Sequence, residues 1–481
     1  MIKQNLHTFW AKLGIGAVAF LLTSGQINAA EVHIGVARLA KQTDAMKATD
    51  SESARLMTLI SPSLLGGGKD APEGYALAKN VSRNAAADVY TVALKKGLKT
   101  HAGESVDAAY VSNYYAKLKE SVYGQTLSDV SDIFAQDALT IVFKLNNSNP
   151  WFSSALNLPI AETGPYKVSK TTATEMVVTP VLGVSPTLVF NAVENPMVRY
   201  LKLQRGEVDI LHNDLPSEIF TYGEEKGMNA VAVPSASYTY IGLQIQRPPF
   251  NDVRVRKALS LAINRQALEY GLLANQARPA HSLLLENEFG FWPAPEDVYN
   301  PKAAKKLLAD VGYTPDENGI YLHMRLNITS NPLVQRMAQA LQQNLKLAGI
   351  DMQIEAREWG SFYRDVKKGN FEAYILSWVG PFTGDFYNYL FNSAFIPPEG
   401  LNRGRVFDVH LDVLLEQMMK ESDTEKRQQL LEDIQKYQYQ NMLYVPLWRG
   451  HHLSLTAPYV HGYMPTNDGG FMSLTTVTLQ K

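Results

Sequence analysis

Aromatic side chains are the residues of this sequence best suited to binding a ligand. The chain has 24 tyrosines, 18 phenylalanines and 6 tryptophans, and most of them must fill hydrophobic cores. Rings that instead face each other across a cleft can hold an extended or flat ligand between them. The candidates for that role, weighed against the commoner packing role, are Trp359, Trp378, Tyr387 and Trp448.

Motifs for catalysis or metal binding are absent from the sequence. It has no G-x-S-x-G elbow, no H-E-x-x-H motif, no phosphate-binding P-loop and no cysteine. His451 and His452 are adjacent, and neighbouring residues of a strand point to opposite faces, so we do not expect them to share a metal ion. We therefore predict no catalytic residue, metal site or cofactor. A hydrolase assembled from scattered Ser, His and Asp is kept as a remote alternative.

The elements that must position these residues are clearest in residues 320–385. Apolar residues alternate over 320–328, and Pro332 can then begin a helix. Further strands are predicted at residues 350–354 and 371–376, with a second helix between them. Strands that alternate with helices imply βαβ units, a parallel sheet and right-handed crossovers.

Two loops of this region are predicted to face a ligand. In parallel α/β sheets, ligands bind outside the carboxyl ends of the strands. That rule selects residues 329–332 and 378–385. A loop after a strand at 208–210, with Asn213 and Asp214, would play the same part in a first lobe. The candidates in the two selected loops are Ser330, Asn331, Gly380 and Asp385.

Length and charge narrow the class of protein. The chain has 481 residues, which is too many for one hydrophobic core, so two or three domains are expected. Its 45 Lys and Arg against 47 Asp and Glu give no basic excess, and no nucleic-acid partner is predicted. With 46% hydrophobic and 19% charged residues, the composition is typical of a globular protein.

Residues 1–30 have the pattern of a Sec-type signal peptide. Basic residues precede an apolar segment over 13–22 and a region of small residues, with cleavage expected after Ala29 or Ala30. The apolar segment is shorter than the about 20 residues that span a bilayer, which argues against an anchor. The absence of cysteine excludes a lipoprotein. The sequence thus predicts a secreted, unanchored protein of the periplasm.

Residues 240–268 lie near the middle of the chain, where a two-lobed protein would cross between its lobes. A predicted strand over 240–246 is stopped by two prolines, and Asn251 or Asp252 can cap a following helix. The helix is expected to bury Val255, Leu259 and Ala262 and to leave Arg254, Arg256 and Lys257 in water.

The segment PPFNDVRVRKALSLAINR of that stretch resembles the signature of the family 5 extracellular solute-binding proteins, the peptide-type receptors of ABC importers. TGPYKV at residues 163–168, LKLQRGEVDI at 201–210 and MLYVPLW at 442–448 resemble other elements of the same family. The resemblance covers nearly the whole chain after the signal peptide.

The resemblance implies an α/β fold, a two-lobed periplasmic binding protein of type II with a subdomain inserted in the first lobe. Ligand would bind between the lobes and be enclosed by hinge closure. The partners implied are the ligand and the ABC permease and ATPase subunits of the inner membrane, with the receptor as a monomer. The expected division is lobe I at residues 31–50, 151–246 and 453–481, the insertion at 51–150, and lobe II at 247–452.

The amine anchor implied by the resemblance is altered in this chain. Family receptors for short peptides place an aspartate three residues after the tryptophan that matches Trp378, where it pairs with the ammonium of the peptide. Pro381 occupies that position, and Asp385 is the nearest acid. The family also implies that Trp359, preceded by Glu358, lines the cleft.

The carboxylate anchor is altered as well. Dipeptide receptors place an arginine just before an Asn-Pro pair, and Ile328 stands near that point here. Arg247 or Arg449 could replace it. Gln244 matches a strand-end asparagine that lies near the ligand in the family.

We therefore predict a periplasmic substrate-binding protein that delivers a peptide or peptide-like ligand to an ABC transporter. Two alternatives remain open within the same fold. One is a receptor for a non-peptide ligand, a sugar-like compound or a metal chelate, and the other is a sensor or chaperone.

Overall fold

The computed structural model describes residues 31–48, 50–66, 76–160, 162–181, 185–213, 215–295, 298–380, 382–398 and 400–480. The predicted signal peptide, residues 1–30, lies outside this range, and so do Asp214 and Pro381. No helix of the described residues is both long and apolar enough to cross a membrane.

Strands and helices alternate through most of the chain. The strands are β1 (Glu31–Val36), β2 (Ala78–Arg83), β3 (Val89–Leu94), β4 (Val130–Ala135), β5 (Thr140–Leu145), β6 (Tyr166–Thr171), β7 (Glu175–Pro180), β8 (Thr187–Ala192), β9 (Ile210–His212), β10 (Asn229–Pro234), β11 (Tyr238–Leu243), β12 (Ala277–Pro279), β13 (Leu322–Thr329), β14 (Ile350–Arg357), β15 (Ala373–Trp378), β16 (Tyr444–Thr456), β17 (Val460–His461) and β18 (Thr478–Leu479). The helices are α1 (Ser51–Ile60), α2 (Ala108–Leu118), α3 (Pro196–Gln204), α4 (Ser217–Glu225), α5 (Val253–Leu261), α6 (Arg265–Leu273), α7 (Pro301–Val311), α8 (Pro332–Leu347), α9 (Trp359–Lys368), α10 (Phe386–Phe391), α11 (Val409–Lys420) and α12 (Thr424–Asn441).

The long strand β16 joins two halves of one sheet, which has the order β14-β13-β15-β11-β16-β9-β1-β8-β7-β6. Its first residues pair with β11, and its last residues pair with β10 and β9. We call the half with β1 and β6–β10 lobe I, and the half with β11 and β13–β15 lobe II. The predicted two-lobed α/β architecture is confirmed by this arrangement.

The chain crosses between the lobes at two places. β10 belongs to lobe I, whereas β11 pairs with β15 along its whole length, from Tyr238 opposite Trp378 to Leu243 opposite Ala373. The outward crossing therefore lies at residues 235–237, and the predicted boundary after residue 246 is too late. β11 is a strand of lobe II and does not carry the chain out of lobe I.

The βαβ units predicted for residues 320–385 are present. β13 pairs in parallel with both β14 and β15, and α8 and α9 form the connections. Asn331 caps α8 through its side-chain oxygen, which accepts from the backbone N–H groups of Leu333 and Val334. Pro332 fits the first helical position because no N–H is needed there.

Helix α5 shows one wrong prediction. Asp252 caps the helix, and Val255, Leu259 and Ala262 are fully buried, as expected. Arg256, however, is buried and donates to the main-chain carbonyls of Phe250 and Asn441. A guanidinium offers five N–H donors, so carbonyls can stabilise it inside a protein.

The inserted part has a separate hydrophobic core. Its sheet has the order β2-β3-β5-β4, and α2 packs on it. This core continues to Ile160, whereas α1 packs into lobe I through Leu56. We therefore propose that the insertion begins after α1 and extends beyond residue 150. Central members of its core are Val92, Tyr115 and Phe143.

Candidate functional site

The carboxyl ends of the parallel strands meet at one edge in each lobe. In lobe II, β13, β14 and β15 run in parallel and lead into Ser330, Trp359 and the loop after Trp378. In lobe I, β1 pairs in parallel with β8 and β9, and Asn213 follows β9. Because Tyr238 at the crossing pairs with Trp378, the lobe II edge faces the crossing. Topology thus sets the two edges against each other, as a cleft requires.

Five stacked groups run from solvent into lobe II behind this edge. Trp359 is 54% exposed, and its ring stacks on Tyr363 with centroids 5.3 Å apart and planes 8° apart. The guanidinium of Arg403 lies over Tyr363 at 5.2 Å and over Trp378 at 4.0 Å. Trp378 is buried and stacks in turn on Tyr240 at 6.1 Å. Of the three predicted tryptophans, Trp378 and Trp448 are buried, and only Trp359 is open to a ligand.

Asp385 lines a cavity of about 350 Å³ between lobe II and the inserted part. The side chain is only 8% exposed, accepts a hydrogen bond from Thr383, and forms no ion pair with a described residue. Burial raises the pKa of Asp385 to about 6. The size is within the range of small-molecule pockets. Rings in the wall belong to Trp151, Phe152, Phe386, Tyr389 and Phe395.

Trp151 closes this cavity from the side of the inserted part. Its indole N–H donates to the carbonyl of Met418 at 3.2 Å, and the Arg427 guanidinium lies over its ring at 5.4 Å. Ser148 donates similarly to the carbonyl of Lys420. The last carbonyls of a helix lack partners within the helix. Donors of the inserted part therefore supply partners at the end of α11.

Arg449 has a structural role that sequence reasoning did not predict. It is 3% exposed, and its guanidinium donates to carbonyls of both segments that flank the crossing. Burial lowers the pKa of Arg449 to about 10. All five of these hydrogen bonds go to the main chain, so Arg449 is not available to bind a carboxylate. The five acceptors, at 2.7–3.2 Å, are Ala236, Ser237, Ser282, Leu283 and Leu284.

Three other predicted site residues are buried and make contacts within the protein. Gln244 follows β11 at the end opposite to the crossing, where its amide donates to the carbonyl of Gly369. Trp448 is buried in the core of lobe II. Tyr387 is buried, and its hydroxyl accepts from the backbone N–H of Leu283. We no longer count these three among the ligand candidates.

In the loops selected by the strand-end rule, Ser330, Gly380 and Asp385 remain candidates for contact with the ligand. Ser330 is exposed, while the side-chain oxygen of Asn331 is occupied as a helix cap. A Cβ on Gly380 would lie 2.4 Å from the ring of Phe382, so a side chain there would need that ring to move. These positions stay predictions.

The positions considered for a partner of the ligand carboxylate are placed in different parts of the protein. Ile328 is fully buried in the core of lobe II, so its position does not reach the cleft. Arg247 lies beside Gln244 in a separate polar cavity. Arg403 was missed because no local pattern marks it, and only the fold brings it onto Trp378.

The comparisons with known proteins agree with this architecture. The model of the bacterial extracellular solute-binding proteins, family 5 Middle, matches residues 74–395, more than half of the chain. The dipeptide-binding protein of Escherichia coli is 27% identical over 253 residues, which is 52% of this chain and 47% of that protein. The chain thus spans about half the length of this curated relative.

Solved structures extend the similarity of fold to nearly the whole chain. NikA from Brucella suis in complex with Fe(III)-EDTA has a TM-score of 0.84 at 20% identity and covers 94% of this chain and 100% of its own. DppA from Helicobacter pylori in complex with the peptide STSA has a TM-score of 0.75 at 23% identity, covering 94% and 98%.

Proposed function

The chain belongs to the bacterial extracellular solute-binding proteins of family 5, and we propose that it is a periplasmic receptor for short peptides with a free amino group. The receptor works as a monomer, closes its lobes over the ligand and delivers it to the permease and ATPase of an ABC importer. No bond is made or broken in the ligand. Residues 1–30 direct the protein to the periplasm as a cleaved signal peptide without lipid attachment.

Asp385 carries this proposal. A buried carboxylate without a cationic partner is unfavourable, and its raised pKa reflects that penalty. A ligand ammonium would supply the missing partner and restore the ionised form. The aromatic walls of the same cavity suit the apolar parts of a peptide. The names of the peptide-binding relatives support the same ligand class.

Lobe closure is supported by contacts that span the cleft. Arg336 of α8 in lobe II pairs with Glu218 of α4 in lobe I at 2.9 Å. Trp151 of the inserted part bonds to Met418 of lobe II. Ligand shifts the equilibrium towards this closed form only by binding it better than the open form. Asp385 would give such a difference, because residues of the inserted part enclose its cavity in this structure and would leave it if the lobes separated.

A metal chelate is the second candidate ligand. A structure with the same fold holds Fe(III)-EDTA. The exposed ring of Trp359, stacked on Tyr363, offers a flat apolar surface for such a compound. A chelate with carboxylates and no ammonium would not use Asp385.

Thermal unfolding with defined ligands tests the proposal. We expect 1 mM trialanine to raise the Tm and N-acetyl-trialanine to leave it nearly unchanged, since binding to the folded state stabilises by mass action. Fe(III)-EDTA at the same concentration is the comparison. If neither trialanine nor a mixed pool of di- to pentapeptides shifts the Tm, the peptide receptor is excluded. A shift with Fe(III)-EDTA alone would establish the chelate instead.

A further inference from the structure

One buried arginine differs from all others among the described residues. Five of the six donate to main-chain carbonyls, which satisfy the guanidinium without an acid. Arg403 is the exception, because it donates to the hydroxyl of Tyr363 at 3.1 Å and to no main-chain carbonyl of the described residues. The buried arginines are Arg199, Arg256, Arg265, Arg403, Arg427 and Arg449.

The guanidinium of Arg403 has unused N–H donors and no anionic partner among the described residues. It is 8% exposed and forms no ion pair with a described residue, although the two aromatic faces of Trp378 and Tyr363 cover it. Of its five N–H donors, one is used by Tyr363. A buried cation is stabilised by a paired anion, and cation–π contacts replace only part of that energy.

Other buried polar groups near Arg403 also lack a well-formed hydrogen bond within the described residues. The ring N–H of Trp378, directly under the guanidinium, is buried without a hydrogen-bond partner in the described part of the chain. The hydroxyls of Tyr240, Tyr374 and Tyr444 lie close to one another, to Trp378 and to Arg403, and none of them makes a well-formed hydrogen bond within the described residues. Burial raises the pKa of each of these tyrosines, which keeps them protonated and able to donate. A concentration of donors around a cation suits an anionic group with several lone pairs.

The loop that carries Arg403 also reaches the Asp385 cavity. Leu401 and Gly400 line that cavity, two and three residues before Arg403. Asn402 is fully buried and fixes the loop, since its amide donates to the carbonyl of Val406 and its oxygen accepts from the Val406 N–H. The loop therefore links the wall of the cavity at Leu401 to the guanidinium of Arg403, which lies over Trp378.

We propose that Arg403 binds the carboxylate of the ligand. The inference rests on the proposed function and specifies it further: Asp385 takes the ammonium and Arg403 takes the carboxylate of a zwitterionic small peptide. A planar guanidinium can bind a carboxylate through two parallel N–H donors, which also fixes the direction of the ligand. Trp378 and Tyr363 hold the guanidinium in position between them.

Trialanine and its C-terminal amide test this assignment by calorimetry. The two probes differ only in the carboxylate. We expect the wild type to bind the free acid about 10- to 100-fold more tightly than the amide, as for a charged hydrogen-bonded pair. Arg403→Gln should bring the two affinities together, near that of the amide. Arg403→Lys keeps a positive charge and should retain part of the preference.

Two matched variants separate this role from a general loss of stability. Arg405→Gln removes a neighbouring guanidinium that donates to the carbonyl of Lys367. This variant should prefer trialanine over its amide as strongly as the wild type does. Asp385→Asn should keep the preference for acid over amide and lose the preference for trialanine over N-acetyl-trialanine.

The outcomes distinguish failure of the inference from failure of the proposed function. If the wild-type protein binds trialanine and its amide equally, Arg403 does not bind the carboxylate. The proposal of a peptide receptor would still stand. The same holds if Arg403→Gln lowers the Tm but retains the wild-type ratio. Absence of binding for every peptide would overturn both. Even if Arg403→Gln does not fold, the ratio of the wild-type affinities for trialanine and its amide tests whether the carboxylate is bound.

Discussion

The indole N–H of Trp151 donates a hydrogen bond to the carbonyl of Met418, 267 positions later in the chain, at 3.2 Å. This bond joins the inserted part to the end of helix α11 in lobe II. It lies beside the cavity lined by Asp385. The inserted part is therefore a wall of the cavity that we propose for the ligand, and its contacts should influence affinity.

We expect Trp151→Phe to weaken trialanine binding about fivefold. The phenyl ring keeps contacts with Arg427 and Phe289, but the N–H is lost, which costs about 1 kcal/mol of the closed form. Calorimetry measures the change. Trp292→Phe is the control, because that ring packs on Tyr439 of helix α12. Equal affinities of Trp151→Phe and wild type would show that the bond is made equally in the open form.

Asp385→Asn should increase stability at neutral pH. The pKa of Asp385 is raised from 3.8 to about 6 in the folded state. The contribution of this carboxyl to the free energy of unfolding is therefore fully present below pH 3.8, where the carboxyl is protonated in both states. It is lost as the pH rises through about 6. We expect the variant to gain about 2–3 kcal/mol in free energy of unfolding at pH 7.5, and the gain to vanish near pH 3.5.

Urea unfolding at the two pH values checks the gain. The variant should at the same time lose most of its affinity for trialanine, by about 2–5 kcal/mol. Greater stability with weaker binding identifies a carboxylate kept for a ligand. Lower stability at pH 7.5 would mean that Asp385 has a structural role.

Trp359→Ala should change binding and leave stability nearly unchanged. The side chain is 54% exposed, and its main contact is the stacked ring of Tyr363. We expect a loss of less than about 1 kcal/mol in the free energy of unfolding. Ligand affinity should fall at least about tenfold if the ring covers the ligand. Tyr270→Ala, which removes a 74% exposed ring elsewhere, should change neither quantity.

Arg449→Met should destabilise the protein strongly. The change removes a guanidinium bonded to five carbonyls of the two segments at the crossing, and buried acceptors are left without donors. We expect a loss of about 3–5 kcal/mol in urea unfolding. Arg247→Met removes an exposed arginine and serves as the control. A stable Arg449→Met variant that binds no peptide would argue for a ligand role after all.

The ion pair between Arg336 and Glu218 should contribute little to the affinity for a ligand. Both side chains are about half exposed, so solvent screens their attraction. We expect Glu218→Ala to weaken trialanine binding by less than about fivefold at low salt, and the effect to disappear near 1 M salt. The reversed pair, Glu218→Arg with Arg336→Glu, should restore the wild-type affinity. A large effect that persists in high salt would mark the pair as a main closing contact.

Short-range patterns in the sequence were sufficient for the elements and for the edge where ligand is expected. Alternation over residues 320–328, followed by Pro332, identified the βαβ units, because periodicity and turn residues act within a few positions. The motif PPFNDVRVRKALSLAINR indicated the family, and its helix α5 is present. Asp385 was selected from its closeness in sequence to Pro381 and Trp378, and it lines a cavity.

The tertiary structure alone decided what each arginine does. Arg256 is satisfied by a carbonyl 185 positions away, and Arg449 by one 213 positions away. Arg403 has no such acceptor and lies on Trp378. A guanidinium in water and a buried one look the same in sequence, since their partners come from distant segments. By itself the sequence therefore determined the fold and the edge of the cleft, and long-range packing determined which charges remain free for a ligand.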